Sequence, residues 1–372
     1  MKPFDLTKFR KTVTKSLGIV DGYHDPKTWI DTGNYALNMM ISGDFFKGVP
    51  LGKVTVFAGE SGSGKSYVVS GNLVKYAQAN DILPIIMDSE FALDEQWLKD
   101  LGVDTDPSKL IRFPVSLVDE CAGITGDFIK QYIDEGSTQK VLFIVDSLGM
   151  LSTPTEVDQF NKGEMKGDMG RKAKQLKALV TQCLKLFGPH DVGLVATNHT
   201  YKSQDMFNPD DVISGGSGFI FASSIVVAMQ KLKLKKDADG NKTSQVHGIR
   251  SKMKCVKSRY AKPFEEVEVN IPYATGMDRF SGLYELFATK GKIVKDGSKY
   301  KYTAKSGKEY KLWEKDWEFP DDDVKDLMME IMLNWEDDAV AGVGQNLEKL
   351  AEAAEGDAAV EYMDLSKAKE DK

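Results

Sequence analysis

Eight consecutive residues, Gly59-Glu60-Ser61-Gly62-Ser63-Gly64-Lys65-Ser66, satisfy the pattern G-x-x-x-x-G-K-[ST]. Glycines at these spacings let successive backbone N–H groups wrap around phosphate oxygens, and a helix opening behind them adds the positive end of its dipole. The lysine of the pattern reaches the β- and γ-phosphates, and the hydroxyl after it can sit on Mg²⁺. The pattern has meaning only between a strand and a helix. Here an apolar run of strand length, residues 54–58, precedes it and a helical stretch, residues 67–79, follows. A nucleoside triphosphate site is therefore the starting point.

Three further runs end in side chains suited to the same chemistry. Residues 141–146 read VLFIVD, apolar until a terminal acid. A carboxylate at that end falls beside the phosphate loop and can hold the hydration shell of Mg²⁺, with Ser147 bonded to the same waters. Residues 82–90 read ILPIIMDSE, which brings Glu90 to the same sheet edge. Glu90 is a candidate to orient and deprotonate the water that attacks the γ-phosphate. Asp88 is the alternative, and both acids lying on the surface is a third reading. Residues 192–199, VGLVATNH, end in the polar pair Asn198-His199. His199 can contact the γ-phosphate and report its loss to the following loop, although a lone histidine is more often a surface or cap residue.

These side chains need a sheet that presents strand ends along one edge. Strand-like runs recur at residues 82–87, 110–114, 141–145 and 192–197, separated by helical patterns at 94–101, 117–134 and 168–187. Strands alternating with helices predict an α/β fold, a parallel sheet with helices on both faces. Beyond Ser223 the rhythm changes. Residues 225–235, 246–257 and 265–271 alternate polar and apolar side chains around a turn at 237–241, and are expected as antiparallel strands extending one edge. Two long polar stretches, 152–170 and 200–218, interrupt the core, and loops of that length are usually functional or disordered. A short helix and a Gly/Asp/Pro linker open the chain. A basic, Tyr-rich piece follows residue 291, and acidic helical segments near 321–335 and 344–364 close it.

The chain has 372 residues, 41% of them hydrophobic, enough for one large α/β domain with appendages. No apolar run approaches the ~20 residues of a membrane span, and the N-terminus lacks a secretory apolar core. Three scattered cysteines, Cys121, Cys183 and Cys255, are expected as reduced, mostly buried thiols of a cytosolic protein. Charge is uneven. Residues 315–372 carry 18 acids against 6 lysines, a net of −12, which in a chain of net −7 leaves residues 1–314 at +5. An acidic tail on a mildly basic body suits a nucleic-acid binder whose tail competes with phosphate; a solvated tail that aids solubility is the alternative.

Six motifs in order, GESGSGKS, MDSEFALDEQWLKDLGVD, FIVDSLG, ATNHTY, ISGGSGFIFASS and KCVKSRYAKPF, resemble the RecA/Rad51 recombinase family over residues 30–290. The DSEF, DSLG, NHTY and GG-x-G elements are most similar to its phage UvsX-type branch. The resemblance implies a RecA-like P-loop ATPase core at residues 31–290, an N-terminal oligomerisation segment and linker at 1–30, and a C-terminal region with an acidic tail at 291–372. It makes Glu90 the catalytic glutamate and Asp146 the Walker B acid, extends the nucleotide-binding run to Tyr67, and puts Asp94 and Trp97 on the adenine. Lys257 and Arg259 match basic residues that reach the ATP of the next protomer, acting in trans as an arginine finger does. The two long stretches match the family's DNA-binding loops, with Lys162, Lys166, Arg171 and Lys172 in or beside the first and Tyr201, Lys202, Phe207, Gly215 and Gly216 in the second. Cations for phosphates and aromatics for bases fit a binder of single strands with little sequence preference.

The implied activity is ATP-dependent homologous recombination: filaments on single-stranded DNA, pairing and strand exchange with homologous duplex, and DNA-stimulated hydrolysis of ATP with Mg²⁺. Implied partners are further copies of the chain, docked through Phe4, Leu6 and Phe9, a mediator and a single-strand-binding protein. No membrane is implied, and the implied setting is a phage-encoded protein in the host cytoplasm. Competing readings are a ring-forming helicase or motor on the same core and a regulatory ATP-binding module whose loops bind protein. One departure stands out: the wider family has Gln where this chain has His199, so coupling to the second loop is expected to respond to pH.

Overall fold

Residues 54–59, 140–146 and 192–197 are almost continuously apolar, the pattern of strands covered on both faces. The computed structural model describes residues 4–17, 24–164, 169–201, 212–216, 218–237, 240–263 and 265–335, and these runs form the centre of a nine-stranded sheet. The chain opens with α1 (Leu6–Leu17), the ribbon strands β1 (Trp29–Ile30) and β2 (Val49–Pro50), and α2 (Tyr35–Ser42) between them. The core follows as β3 (Val54–Gly59), α3 (Val74–Gln78), β4 (Ile82–Asp88), α4 (Glu95–Asp100), β5 (Ile111–Pro114), α5 (Val118–Asp134) and β6 (Lys140–Asp146). It continues through α6 (Pro154–Asn161), α7 (Met169–Phe187), β7 (Val192–Tyr201), β8 (Val212–Ile213), α8 (Gly218–Ala222), β9 (Ile225–Leu234), β10 (Gly248–Ser258) and β11 (Glu266–Pro272). After α9 (Leu283–Thr289), the basic Tyr-rich piece folds as a three-stranded antiparallel sheet, β12 (Val294–Asp296), β13 (Lys299–Thr303) and β14 (Glu309–Trp313), followed by α10 (Glu314–Glu318) and α11 (Asp322–Leu333).

The large sheet runs β11-β10-β9-β3-β7-β6-β4-β5, with β8 on the end of β7. Neighbours from β9 to β5 are parallel, and β10 and β11 are antiparallel. This is the expected α/β architecture of a RecA-like core. Val54, Val56 and Ala58 of β3 and alternate residues of β4, β6 and β7 pack against Val118, Cys121 and Ile129 of α5 and Leu176 and Val180 of α7. Those α5 positions recur at helical spacing, which gives the helix its one buried face. Phe143 stacks on Phe187 with ring centroids 5.3 Å apart. The helical turns after the phosphate loop contact β6 and β7. All three cysteines are buried and unbridged, and burial pushes the thiols of Cys121 and Cys183 up to about 12 and that of Cys255 to about 11.

Three expectations need correction. Residues 225–235 do not begin the antiparallel extension: β9 is parallel to β3, pairing Thr55 with Ile225 and Gly59 with Met229. The chain leaves the far end of β7, crosses through α8 and re-enters beside the start of β3, where the Ser224 N–H donates to the Val54 carbonyl at 2.8 Å. The helix expected at 67–79 opens as a π-helical run, Tyr67–Leu73, before α3. The first long polar stretch holds α6, started by Pro154 and by reciprocal bonds in which Thr153 Oγ1 accepts from the Glu156 N–H at 3.2 Å and Glu156 accepts from the Thr153 N–H at 2.7 Å. The chain divides into two compact units, Met1–Asp321 and Asp322–Lys372. The acidic segment near 321–335 forms α11, and the one at 344–364 lies outside the described residues. Among the described residues no helix is long and apolar enough to cross a membrane.

Candidate nucleotide site and its loops

β3 ends at Gly59 because nothing larger fits: an added Cβ would stand 2.4 Å from the Met229 carbonyl oxygen. Gly64 turns the chain into the helix at φ +97°, a conformation that favours glycine. Between them the loop closes on Lys65, which is 6% exposed and donates to the carbonyls of Gly59 and Glu60, both at 2.9 Å. Burial draws the Lys65 pKa below the ordinary lysine value, against the upward pull of Glu90, Asp146 and Glu60. An ammonium held on carbonyls in a cleft is poised for a stronger, anionic partner.

Asp146 ends β6 beside this loop and is 3% exposed. Ser70 Oγ donates to its Oδ2 at 2.8 Å and Ser66 Oγ to the same oxygen at 3.3 Å, while Thr197 donates to Oδ1. Burial raises the pKa of this carboxyl, and the three hydroxyl bonds oppose the rise. Ser70 and Thr197 are partners the sequence reading missed. Ser70 stands four residues after Ser66, a spacing that puts both hydroxyls on one helical side, and that was the available signal.

Register sets Asp88 of β4 opposite Asp146, and the N–H groups of Ser89 and Glu90 donate to the Asp146 carbonyl at 2.9 and 3.3 Å. The two acids of this turn have different surroundings. Asp88 is 1% exposed, is ion-paired with Arg112 and accepts from the Phe91 N–H at 2.9 Å. Glu90 is half-buried, borders the cleft and lies 3.0 Å from His199 Nε2 through its Oε1. With a neutral imidazole, this contact needs the proton on Nε2, which then donates to the carboxylate. His199 sits near the end of β7, which is tied to the segment after the second loop: the Ser214 N–H donates to the His199 carbonyl at 2.9 Å and Asn198 Nδ2 to the Ser214 carbonyl at 2.7 Å.

The cleft has a volume of about 300 Å³ and is bordered by Ser61, Gly62, Lys65, Ser66, Glu90 and His199 together with the aromatic rings of Tyr67, Trp97 and Tyr273. Tyr67 meets Trp97 edge to face at 5.3 Å. Asp94 is the N-cap of α4, with Oδ1 accepting from the Trp97 N–H at 2.8 Å, and does not border the cleft. Tyr273, 58% exposed in the turn after β11, is a wall that sequence reasoning missed. A lone tyrosine after a Pro carries no signal of its own.

Lys257 and Arg259 are not brought to this cleft. Lys257 pairs with Val226, which pairs with Val56, so it lies back from the strand ends that carry the phosphate loop. Its ammonium donates to the carbonyls of Ile220 and Phe221 at 3.2 and 2.7 Å, at the end of α8. Burial, then the nearby Arg259, draws its pKa down. Arg259 is exposed.

The two long stretches leave the ends of adjacent parallel strands, β6 and β7, and so emerge at one sheet edge. Lys162 follows α6 and is exposed; Arg171 Nη1 donates to Thr155 Oγ1 at 3.4 Å; Lys172 Nζ donates to the Gly149 carbonyl at 2.9 Å. Tyr201 is exposed, and Gly215 and Gly216 both have positive φ. Phe160 of α6, 71% exposed, is an aromatic the sequence reading did not single out. Lys166, Lys202 and Phe207 lie outside the described residues. In α1 and just before it, Phe4, Leu6 and Phe9 are exposed, with the two phenyl rings 5.7 Å apart.

Residues 8–278 match the RecA N-terminal domain. The chain is 28% identical over 263 residues to "Recombination and repair protein" of Enterobacteria phage T4, an alignment that covers 70% of this chain and 63% of the phage protein, less than two thirds of its length. It is 29% identical over 279 residues to "Protein RecA" of Cutibacterium acnes, covering 73% of each chain, and 29% identical over 288 residues to "Protein RecA" of Mycobacterium avium, covering 76% and 75%.

Proposed function

The chain belongs to the RecA family, and from that premise we propose that it is an ATP-dependent recombinase: it assembles on single-stranded DNA with ATP between neighbouring copies, and pairs that strand with homologous duplex. The reading gives the cleft to ATP, with Lys65 on the β- and γ-phosphates and the adenine among Tyr67, Trp97 and Tyr273. Asp94 serves the adenine by setting the start of α4 through its cap.

The oxygen-only pair of Ser66 and Asp146 suits a hard cation, and a buried carboxylate with a raised pKa gains from a cationic neighbour. A Mg²⁺ ion held there would supply neutralisation of charge on the phosphate oxygens. Ser70 and Thr197 fix the carboxylate that would hold the ion. Glu90 orients the attacking water and takes its proton, and the ion pair of Asp88 with Arg112 fits a supporting part for Asp88 in the same turn.

Lys257 and Arg259 complete the site of the next copy, where they stabilise charge developing on the γ-phosphate. A head-to-tail contact whose rotation does not close extends as a filament, and copies are proposed to join this way, with Phe4, Leu6 and Phe9 docking each on its neighbour. Lys162, Lys166, Arg171, Lys172, Tyr201, Lys202, Phe207, Gly215 and Gly216 form the DNA surface. A mediator and a single-strand-binding protein assist, in the cytoplasm of a phage-infected host.

The observation that carries this reading is the 3.0 Å contact between Glu90 and His199. It joins the proposed base to the end of β7, from which the second loop departs. DNA bound to the loop then shifts His199 and, through it, Glu90, so that strand binding and hydrolysis favour one another's active state. The test is phosphate release from ATP with and without single-stranded DNA, read beside electron microscopy of the same sample. The reading expects DNA-dependent turnover and helical filaments; equal turnover with single particles throughout would reject it.

A further inference from the structure

Lys231 of β9 contacts the phosphate loop in a way that neither the motif nor the resemblance assigns. Met229 pairs with Gly59, so Lys231, two residues on, lies past the end of β3 and alongside the loop. Its ammonium donates to the Ser61 carbonyl at 3.0 Å, and its backbone N–H donates to Glu60 Oε1 at 3.0 Å. A Cβ built on Gly62 would stand 3.2 Å from Lys231 Nζ, so the ammonium covers the middle of the loop. Lys65 already holds the Gly59 and Glu60 carbonyls. Three consecutive carbonyls, those of Gly59, Glu60 and Ser61, are thus occupied by two ammonium groups, Lys65 lining the cleft itself and Lys231 standing behind Ser61 and Gly62, which also line it.

That arrangement is poorly satisfied without an anion. Carbonyl oxygens are weaker partners for an ammonium than phosphate oxygens are. The two ammonium groups sit on neighbouring carbonyls and repel one another. Glu60 places a carboxylate beside a loop built for phosphates, and the Lys231 backbone N–H holds its Oε1. Lys231 is exposed, so moving its ammonium from a carbonyl to a phosphate costs little desolvation. The opening helix takes the inner phosphates, whereas Ser61 and Gly62 stand at the other end of the loop. We infer that Lys231 is a second phosphate-binding cation supplied in cis, which leaves the Ser61 carbonyl for the terminal phosphate of a nucleoside triphosphate and so favours triphosphate over diphosphate.

This inference rests on the reading of the cleft as an ATP site, and one experiment separates the two. A fluorescent non-hydrolysable ATP analogue and the matching ADP analogue are titrated, with Mg²⁺ and without DNA, into wild type, Lys65→Ala, Lys231→Met and Lys231→Arg. Loss of one charge-assisted bond predicts that Lys231→Met weakens the triphosphate about tenfold and the diphosphate less than about twofold. Lys231→Arg keeps the charge and is expected within about threefold of wild type for both. Equal weakening of both nucleotides by Lys231→Met would mean that Lys231 only clamps the loop, and an unchanged triphosphate affinity would mean that it does nothing there; either result overturns the inference. If wild type binds neither nucleotide better than Lys65→Ala does, the ATP reading itself fails.

Discussion

Two ends of one sheet hold opposite halves of a chemistry. At the strand ends of β3, β4, β6 and β7, the side chains are already tied to one another: Asp146 under three hydroxyls, Glu90 on His199, Lys65 on its own loop. At the far end of β10, Lys257 and Arg259 stand away from that cleft, one of them held on the end of α8. The first region joins its side chains into one cleft; the second holds a pair of cations that, among the described residues, do not border it. On the proposed reading, a chain arranged this way is complete only when copied. The strand-end network ties its side chains within one monomer, and the proposal makes turnover depend on cations from a neighbour.

The comparison breaks first at its anchor. Lys65→Ala removes the buried ammonium, and nucleotide binding is expected to fall by two orders of magnitude or more, in line with losing charge-assisted bonds worth about 1.5–3 kcal/mol each; retained binding in an analogue titration would mean that the strand-end region is no phosphate site. Lys257→Ala with Arg259→Ala tests the other side. It is expected to leave the monomer folded and the slow DNA-free turnover intact while removing DNA stimulation, about a thousandfold if the pair acts as an arginine finger does; steady-state phosphate release with saturating DNA reads it. Glu90→Gln then separates binding from chemistry, keeping ATP and DNA affinity but lowering turnover about a hundredfold.

Smaller effects sharpen the picture. A carboxyl whose pKa is raised by burial contributes stability below its unfolded pKa and loses it as the pH rises through the folded value. Asp146→Asn removes that buried charge, so without metal its melting temperature is expected above that of wild type, with a gap that widens from acid pH toward neutrality. A gap independent of pH would show that the three hydroxyls already offset the charge. Smallest is His199→Gln, expected to change DNA-stimulated turnover a few-fold because it replaces the imidazole that meets Glu90; unchanged stimulation would end the idea of a link through this side chain.

Much of the frame was legible because its signals are local. Short, β-branched apolar runs such as VLFIVD suit strands covered on both faces better than helices, and their alternation with amphipathic helices such as α5 favours a parallel sheet. The direction of β9 was not legible, because the same alternating residues suit either direction and the crossover through α8 decides. Spacing also does not separate Asp88 from Glu90; Arg112, more than twenty residues away on β5, engages the first and leaves the second at the cleft. Ser70, Thr197, Tyr273 and Lys231 were invisible for a related reason. Each is an ordinary residue of its type until the fold brings it beside Asp146, the cleft or the phosphate loop.

The most direct test of the divided site is complementation between two inactive variants. Glu90→Gln retains the trans cations, and the Lys257→Ala/Arg259→Ala pair retains the base. Neither alone is expected to turn over ATP in response to single-stranded DNA. Mixed in equal amounts before DNA is added, they form a contact with both halves intact at about a quarter of junctions if copies join at random in one direction. DNA-stimulated turnover should then reappear at roughly that fraction of the wild-type rate. A mixture as inert as its components, or full stimulation in the double variant alone, would contradict a site built from two copies.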